Sequence, residues 1–283
     1  MTLFTHIQGV GTPVLLLHGF TIDHRMMLPL DRNFTEQKWE RHYVDLPGSG
    51  RSPRLNSMSS EGVVETVSNY IDTHFRDEDF ALVGVSYGGF IARALHVRYG
   101  SRVLGSLLIA PAVKSAGNRT VNPDIPAVER DNFEFDVDEA DRVFLDSFKA
   151  ISPRHTHASW SAYHHHVVPG YQAHDREAAQ ELLLNYNLEP LPEESLTSRL
   201  GGINVLITGK QDSVVGWRDQ LELLDYYDRQ TYVAVDGAGH NVHLDQPLLV
   251  DGLIAMWLSE LSRAGSDGIG TAALAEPSKN RSA

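Results

Sequence analysis

Apolar residues along this chain follow two rhythms. Short unbroken runs occur at 12–17, 81–85, 103–109, 203–208 and 231–235. Their length and aliphatic content predict strands buried on both faces. Residues 41–45 read as a sixth strand. Between the runs lie stretches with helical spacing. Over 59–75, Val63, Val67, Tyr70 and Ile71 share a side, and Ser59 or Ser60 supplies a cap. Phe90 to Tyr99 follows one strand at once and is stopped by Gly100, and 247–261 has the same spacing near the end. Short strands alternating with helices predict a mostly parallel central sheet with flanking helices, an α/β fold. Reactive groups in such sheets gather beyond the carboxyl ends of the strands.

From about Ala112 to Leu200 the strand rhythm stops. Helices are predicted over 136–151 (Val143, Phe144, Phe148), over 156–167 and ended by Pro169-Gly170, over 175–186 (Leu182, Leu183, Tyr186), and over 193–200. The expected organisation is a core of residues 1–111 and 201–263 and a helical cap over 112–200. A Gly-, Ala- and Ser-rich tail over 264–283 is expected to be disordered. The apolar helix faces in the insertion need a surface to cover. The mouth of the sheet is the surface left to them, because helices already occupy both sheet faces.

Composition narrows the class. The chain has 283 residues, a net charge of -13 and no cysteine. The acidic balance argues against nucleic acid and anionic membranes as partners. No run approaches the ~18–20 apolar residues of a membrane span. No secretory leader is visible in residues 1–8, and a cytoplasmic protein is expected. Thiolate and disulfide chemistry are excluded. The insertion carries 15 acidic and 8 basic residues over 111–200, a net of -7, which disfavours polyanionic substrates.

The chemistry centres on Gly84-Val85-Ser86-Tyr87-Gly88. A serine between a strand and a helix is held exposed on a sharp turn, where a base can activate it. Gly84 and Gly88 fit because the turn leaves no room for Cβ atoms. The helix N-terminus beneath Ser86 also offers a backbone N–H to a developing oxyanion. Downstream, Gly209-Lys210-Gln211-Asp212 follows one strand, and Gly237-Ala238-Gly239-His240 follows the next. Asp212 and His240 therefore fall at the same sheet edge as Ser86. They supply the base, and the carboxylate that fixes its tautomer, which a serine nucleophile requires. Asp236 competes with Asp212 but sits four residues before His240, where it fits a loop-stabilising role.

Three stretches carry a family resemblance: His18-Gly19-Phe20, the loop from Asp45 to Ser52, and the elbow from Gly84 to Gly89. With them the chain resembles the α/β-hydrolase superfamily from Leu3 to about Arg263, and Ser86, Asp212 and His240 stand in that family's triad order. The resemblance implies that the Phe20 and Tyr87 backbone N–H groups form an oxyanion hole, and that Asp45 and His18 brace the loops. It implies a small-molecule substrate and no metal or organic cofactor, and leaves the oligomeric state open. Dehalogenases and most epoxide hydrolases on this fold use aspartate where Ser86 stands. A carboxylic ester or lactone is the expected substrate. A thioesterase, an amidase or a C–C bond hydrolase would use the same triad. A hydrolase-like ligand receptor and a lyase on the same scaffold are the rivals from other classes.

Six of the fourteen histidines lie in the insertion: His155, His157, His164, His165, His166 and His174. Consecutive helical residues point about 100° apart, so His164, His165 and His166 cannot converge on one ion. No metal site is expected. His164 shares a helix face with Trp160, and both are expected to line the roof of the substrate pocket.

Overall fold

A computed structural model describes residues 2–34, 38–122 and 126–266. The chain begins with strands β1 (Thr5–Gln8), β2 (Thr12–Leu17) and β3 (Trp39–Val44). Helix α1 (Ser60–His74), strand β4 (Phe80–Val85), helix α2 (Tyr87–Tyr99) and strand β5 (Val103–Ile109) follow. Strands β8 (Asn204–Gly209) and β9 (Gln230–Val235) and helices α7 (Val242–Asp245) and α8 (Pro247–Ser266) close the core. Among the described residues the sheet has seven strands in the order β1-β3-β2-β4-β5-β8-β9. Only β1 runs antiparallel, Thr5 facing Val44. The sequence did not suggest β1, because an edge strand of alternating polarity makes no apolar run. Every residue of β4 is buried, as its all-apolar sequence requires when helices cover both faces.

Register brings the functional loops together. Leu17 lies beside Gly84, Gly84 beside Leu108, Ile109 beside Ile207, and Gly209 beside Val235. The strands thus end in line, and the segments at 18–20, 86–87, 210–212 and 236–240 leave from one edge. Helix α1 starts where a cap was expected: Ser59 Oγ accepts from the Gly62 N–H at 3.1 Å.

The insertion contains helices α3 (Arg142–Ile151), α4 (His157–His166), α5 (Val168–Ala173) and α6 (Arg176–Leu184). It also holds a two-stranded parallel pair, β6 (Glu129–Arg130) with β7 (Arg154–His155). Four expectations change. The helix predicted from Asp136 begins at Arg142, after two short 3₁₀ turns. Pro169-Gly170 does not end the helical stretch; Pro169 sits in the first turn of α5, where its missing N–H is no loss. Residues 193–200 form only a 3₁₀ turn, Pro192–Ser195. At the C-terminus, α8 runs to Ser266, so Ala264 to Ser266 are helical. The rest of the predicted tail lies outside the described residues. Among the described residues no helix is long and apolar enough to cross a membrane.

Candidate active site

Ser86 occupies the turn between β4 and α2 with φ 54° and ψ −114°. A non-glycine residue at positive φ is strained, and the surroundings must enforce it. Here the Ser86 N–H donates to the Ile109 carbonyl at 3.0 Å, and the Ser86 carbonyl accepts from Phe90 and Ala112 at 3.1 Å each. A Cβ on Gly88 would lie 2.1 Å from the Leu17 carbonyl oxygen, so glycine there lets the elbow press against β2.

Ser86, His240 and Asp212 meet in one chain of hydrogen bonds. Ser86 Oγ is 3.0 Å from His240 Nε2, and His240 Nδ1 is 2.9 Å from Asp212 Oδ2. The other Asp212 oxygen accepts from the Val214 and Val215 N–H groups at 2.7 and 3.0 Å. An ionised carboxylate only accepts, so the network puts the imidazole proton on Nδ1 and the lone pair of Nε2 toward Ser86. That tautomer can take a proton from the serine hydroxyl. Ser86 and His240 are each 8% exposed, so the pair is enclosed. Asp236 is elsewhere: its carboxylate accepts from Gln211 Nε2 at 3.1 Å on the surface.

Phe20 and Tyr87 flank the elbow, their rings edge to face at 6.1 Å between centroids. Tyr87 is the first residue of α2, so its backbone N–H belongs to the helix N-terminus. Tyr186, from the insertion, covers this side. Its ring lies 5.0 Å from that of Tyr87 and 6.1 Å from that of Phe20, and it stacks on Phe90 at 5.7 Å. Ser60 ties the three parts together. Its Oγ is 2.5 Å from the Tyr186 carbonyl and 3.0 Å from Tyr87 Oη. Burial pushes the Tyr186 phenol up, with Arg119 opposing. A cavity of about 10 Å³ beside Phe20 and Tyr87 is lined on the insertion side by His174 and Leu182, room for about one water. Sequence reasoning named Tyr186 only as part of a helix face and Ser60 only as a candidate helix cap; the Ser60 role seen here depends on a contact 126 residues away.

His18 and Asp45 both bond to loop backbone. His18 is fully buried; its Nε2 accepts from the Leu46 N–H at 2.9 Å, and its Nδ1 donates to the Gly19 carbonyl at 2.7 Å. Burial lowers its pKa, and Asp45 only partly offsets that. Burial also pushes the Asp45 carboxyl up, but bonds from the His24 ring, the His24 N–H and the Arg51 N–H outweigh it and hold the pKa low. Asp23, His24 and Asp45 approach closely enough to resemble a metal cluster. Their atoms are already engaged, however, with Asp23 gripped by Arg25 at 2.5 to 3.1 Å.

Trp160 and His164 are not placed as the sequence suggested. Trp160 is the centre of a ring cluster with Phe133, Phe148 and Tyr163, an internal core for the insertion. His164 Nε2 pairs with Asp141 at 2.9 Å and is 42% exposed, and it lines a surface cleft with Arg25, His165 and His166. The reason is geometric: α4 turns Trp160 and Tyr163 toward Phe148 of α3, which leaves His164 at the edge of that face, its ring beside Trp160 and its Nε2 toward the surface. His243, three residues past His240, is buried; its Nε2 donates to the Met26 carbonyl at 3.2 Å, and burial lowers its pKa to about 4.

A mostly parallel sheet with helices on both faces, with a serine elbow, a carboxylate and a histidine leaving one edge, defines the α/β-hydrolase fold. The chain belongs to the alpha/beta hydrolase family, whose family model matches residues 14–251. A Bacillus subtilis protein, AB hydrolase superfamily protein YisY, is 25% identical over 275 residues, covering 91% of this chain and 95% of that one. A pimeloyl-[acyl-carrier protein] methyl ester esterase of Shewanella woodyi is 30% identical over 112 residues. That match covers 39% of this chain and 41% of the esterase, less than half of its length. The crystal structure of an alpha/beta superfamily hydrolase from Oenococcus oeni PSU-1 superposes with a TM-score of 0.85 at 25% identity, covering 93% of this chain and all of that one.

Proposed function

We propose that this chain is a serine hydrolase that cleaves a small carboxylic ester or lactone through an acyl–serine intermediate. The observation that carries the reading is the hydrogen-bond chain from Ser86 Oγ through His240 to Asp212. Ser86 Oγ attacks the carbonyl carbon while His240 Nε2 takes its proton. The resulting oxyanion is held by the Phe20 and Tyr87 backbone N–H groups. Collapse breaks the bond to the leaving oxygen, which receives the proton from His240. Water then attacks the acyl–serine with His240 again as base, releasing the acid and restoring Ser86. Asp212 keeps the imidazole in the working tautomer and offsets its transient positive charge.

The insertion serves as a cap that encloses this chemistry, with Tyr186 over the oxyanion side. Enclosure supports a small substrate, and the aromatic lining supports an apolar acyl or alcohol portion. The esterase named among the relatives favours an ester over an amide. A fluorophosphonate probe and a series of p-nitrophenyl esters test the reading. Stoichiometric labelling lost in Ser86→Ala, with steady turnover of the esters by the wild type, is expected. Labelling at a different serine, or one burst of product without turnover, would overturn it.

A further inference from the structure

Residues 150–154 of the insertion bond to both loops, the one carrying Asp212 and the one carrying His240; Arg119 adds a bond to the Val214 carbonyl at 3.3 Å. The Ala150 carbonyl accepts from Ser213 Oγ at 2.7 Å, one residue beyond Asp212. The Ile151 carbonyl accepts from the His240 N–H at 2.9 Å. Ser152 Oγ donates to Asp245 Oδ1 at 2.6 Å, and Arg154 Nε donates to the Gly237 carbonyl at 3.0 Å. Asp245 closes the circuit, because its Oδ2 accepts from the Gly239 N–H at 2.8 Å. Two successive N–H groups, those of Gly239 and His240, are therefore held by Asp245 and by the insertion. The fit is tight: a Cβ on Gly239 would stand 1.9 Å from the Ile151 carbonyl oxygen. Ser152 and Asp245 are buried, so water cannot readily replace their bonds.

We propose that Asp245 is a positioning residue for His240, and that residues 150–154 are a latch that keeps the base in place only while the insertion is seated. This rests on the serine-hydrolase reading above. The base works only if Nε2 stays near 3.0 Å from Ser86 Oγ while Nδ1 stays on Asp212. Both bonds depend on where the His240 backbone lies. If the insertion lifts, the Ile151 carbonyl and Ser152 leave the His240 loop, and Asp245 keeps only its bond to Gly239. The base then loses its fixed distance to the serine. Closing over a substrate and assembling the reactive group become one event.

The test compares Asp245→Ala, Asp245→Asn, Ser152→Ala and the Asp245→Ala/Ser152→Ala double variant. Fluorophosphonate labelling of Ser86 and p-nitrophenyl acetate kinetics are read per folded molecule. A displacement of the base by about 1 Å can cost ~10²-fold, so Asp245→Ala should lose roughly 10- to 100-fold in kcat and labelling rate. KM should move much less than kcat. Asp245→Asn should regain most of the loss, because its amide oxygen still accepts from Gly239 and its NH₂ can donate to Ser152 Oγ. The double variant should be no worse than Asp245→Ala alone, since both changes cut one route. Gly239→Ala, which wedges the latch open without removing a charge, should reproduce the kcat loss if Asp245→Ala fails to fold. The proposal is overturned if Asp245→Asn is as slow as Asp245→Ala, if the losses add, or if melting temperature falls while labelling per folded molecule is unchanged. An unlabelled wild type would instead sink the serine-hydrolase reading itself.

Discussion

The two sides of Ser86 are built from different materials. Toward Phe20 and Tyr87 the insertion contributes a ring, Tyr186, packed against three other aromatic rings. Toward His240 it contributes a carbonyl and a hydroxyl, from Ile151 and Ser152, set against two buried carboxylates, Asp212 and Asp245. The difference follows from what each side must hold. The oxyanion donors proposed there are backbone N–H groups, already fixed by the strand end and the helix start, so non-directional packing is enough to shield them. An imidazole can rotate and change tautomer, and only directional bonds prevent that. Each side thus carries a different vulnerability, which substitutions can separate.

The sharpest break is Ser86→Ala, which should abolish fluorophosphonate labelling and ester turnover while far-UV circular dichroism stays unchanged. Next comes the acid. Asp212→Asn should lower kcat by about 10⁴, the order seen when an orienting carboxylate is lost from a serine triad. Asp236→Asn should leave kcat within about threefold, as expected of a surface change far from special contacts. A reversed ranking would move the acid to Asp236. Within the insertion, away from both sides of Ser86, Trp160→Ala removes the centre of the ring cluster and should destabilise by about 3–5 kcal/mol. The ranking of p-nitrophenyl esters by acyl length should not change, and a changed ranking would return Trp160 to the pocket wall.

The smallest expected effect is a pH slope. Burial raises the Asp245 pKa to about 6, above the ~3.9 of an unfolded aspartate. The folded state therefore binds the proton more tightly. Its stabilising contribution is fully present below pH ~3.9 and is lost as pH rises through about 6. Asp245→Asn should remove that contribution and so flatten the fall in melting temperature between pH 4 and pH 7. An unchanged slope would show that Asp245 does not titrate there.

Most of the sheet was legible because buried parallel strands leave short apolar runs bounded by turn residues and separated by helical spacing. The candidate site was legible because Ser86, Asp212 and His240 each lie within five residues of the end of such a run. What stayed hidden has no local signature. β1 pairs along an edge, so its residues need not be apolar. Glu193 lies in a segment expected to be helical, yet it is a buried partner of Arg93, one hundred positions away. Asp245 reads as an ordinary polar residue just before the last helix, and only the folded contacts show it gripping the Gly239 amide. Trp160 illustrates the converse: its helix face was legible, but the surface that face meets was not.

The Arg93–Glu193 pair bears on whether core and insertion can be separated. Both side chains are almost wholly buried, joined by bonds of 2.7 and 2.5 Å, and Arg93 also donates to the Ala112 carbonyl at 2.8 Å. Excising the insertion would leave a guanidinium stranded under α2, a loss of about 3–5 kcal/mol for a broken buried pair. That is a large share of the ~5–15 kcal/mol that typically holds a domain together. Core and insertion should therefore melt in a single cooperative transition. A chimera that borrows another protein's insertion would have to bring a carboxylate to the position of Glu193, or replace Arg93 at the same time.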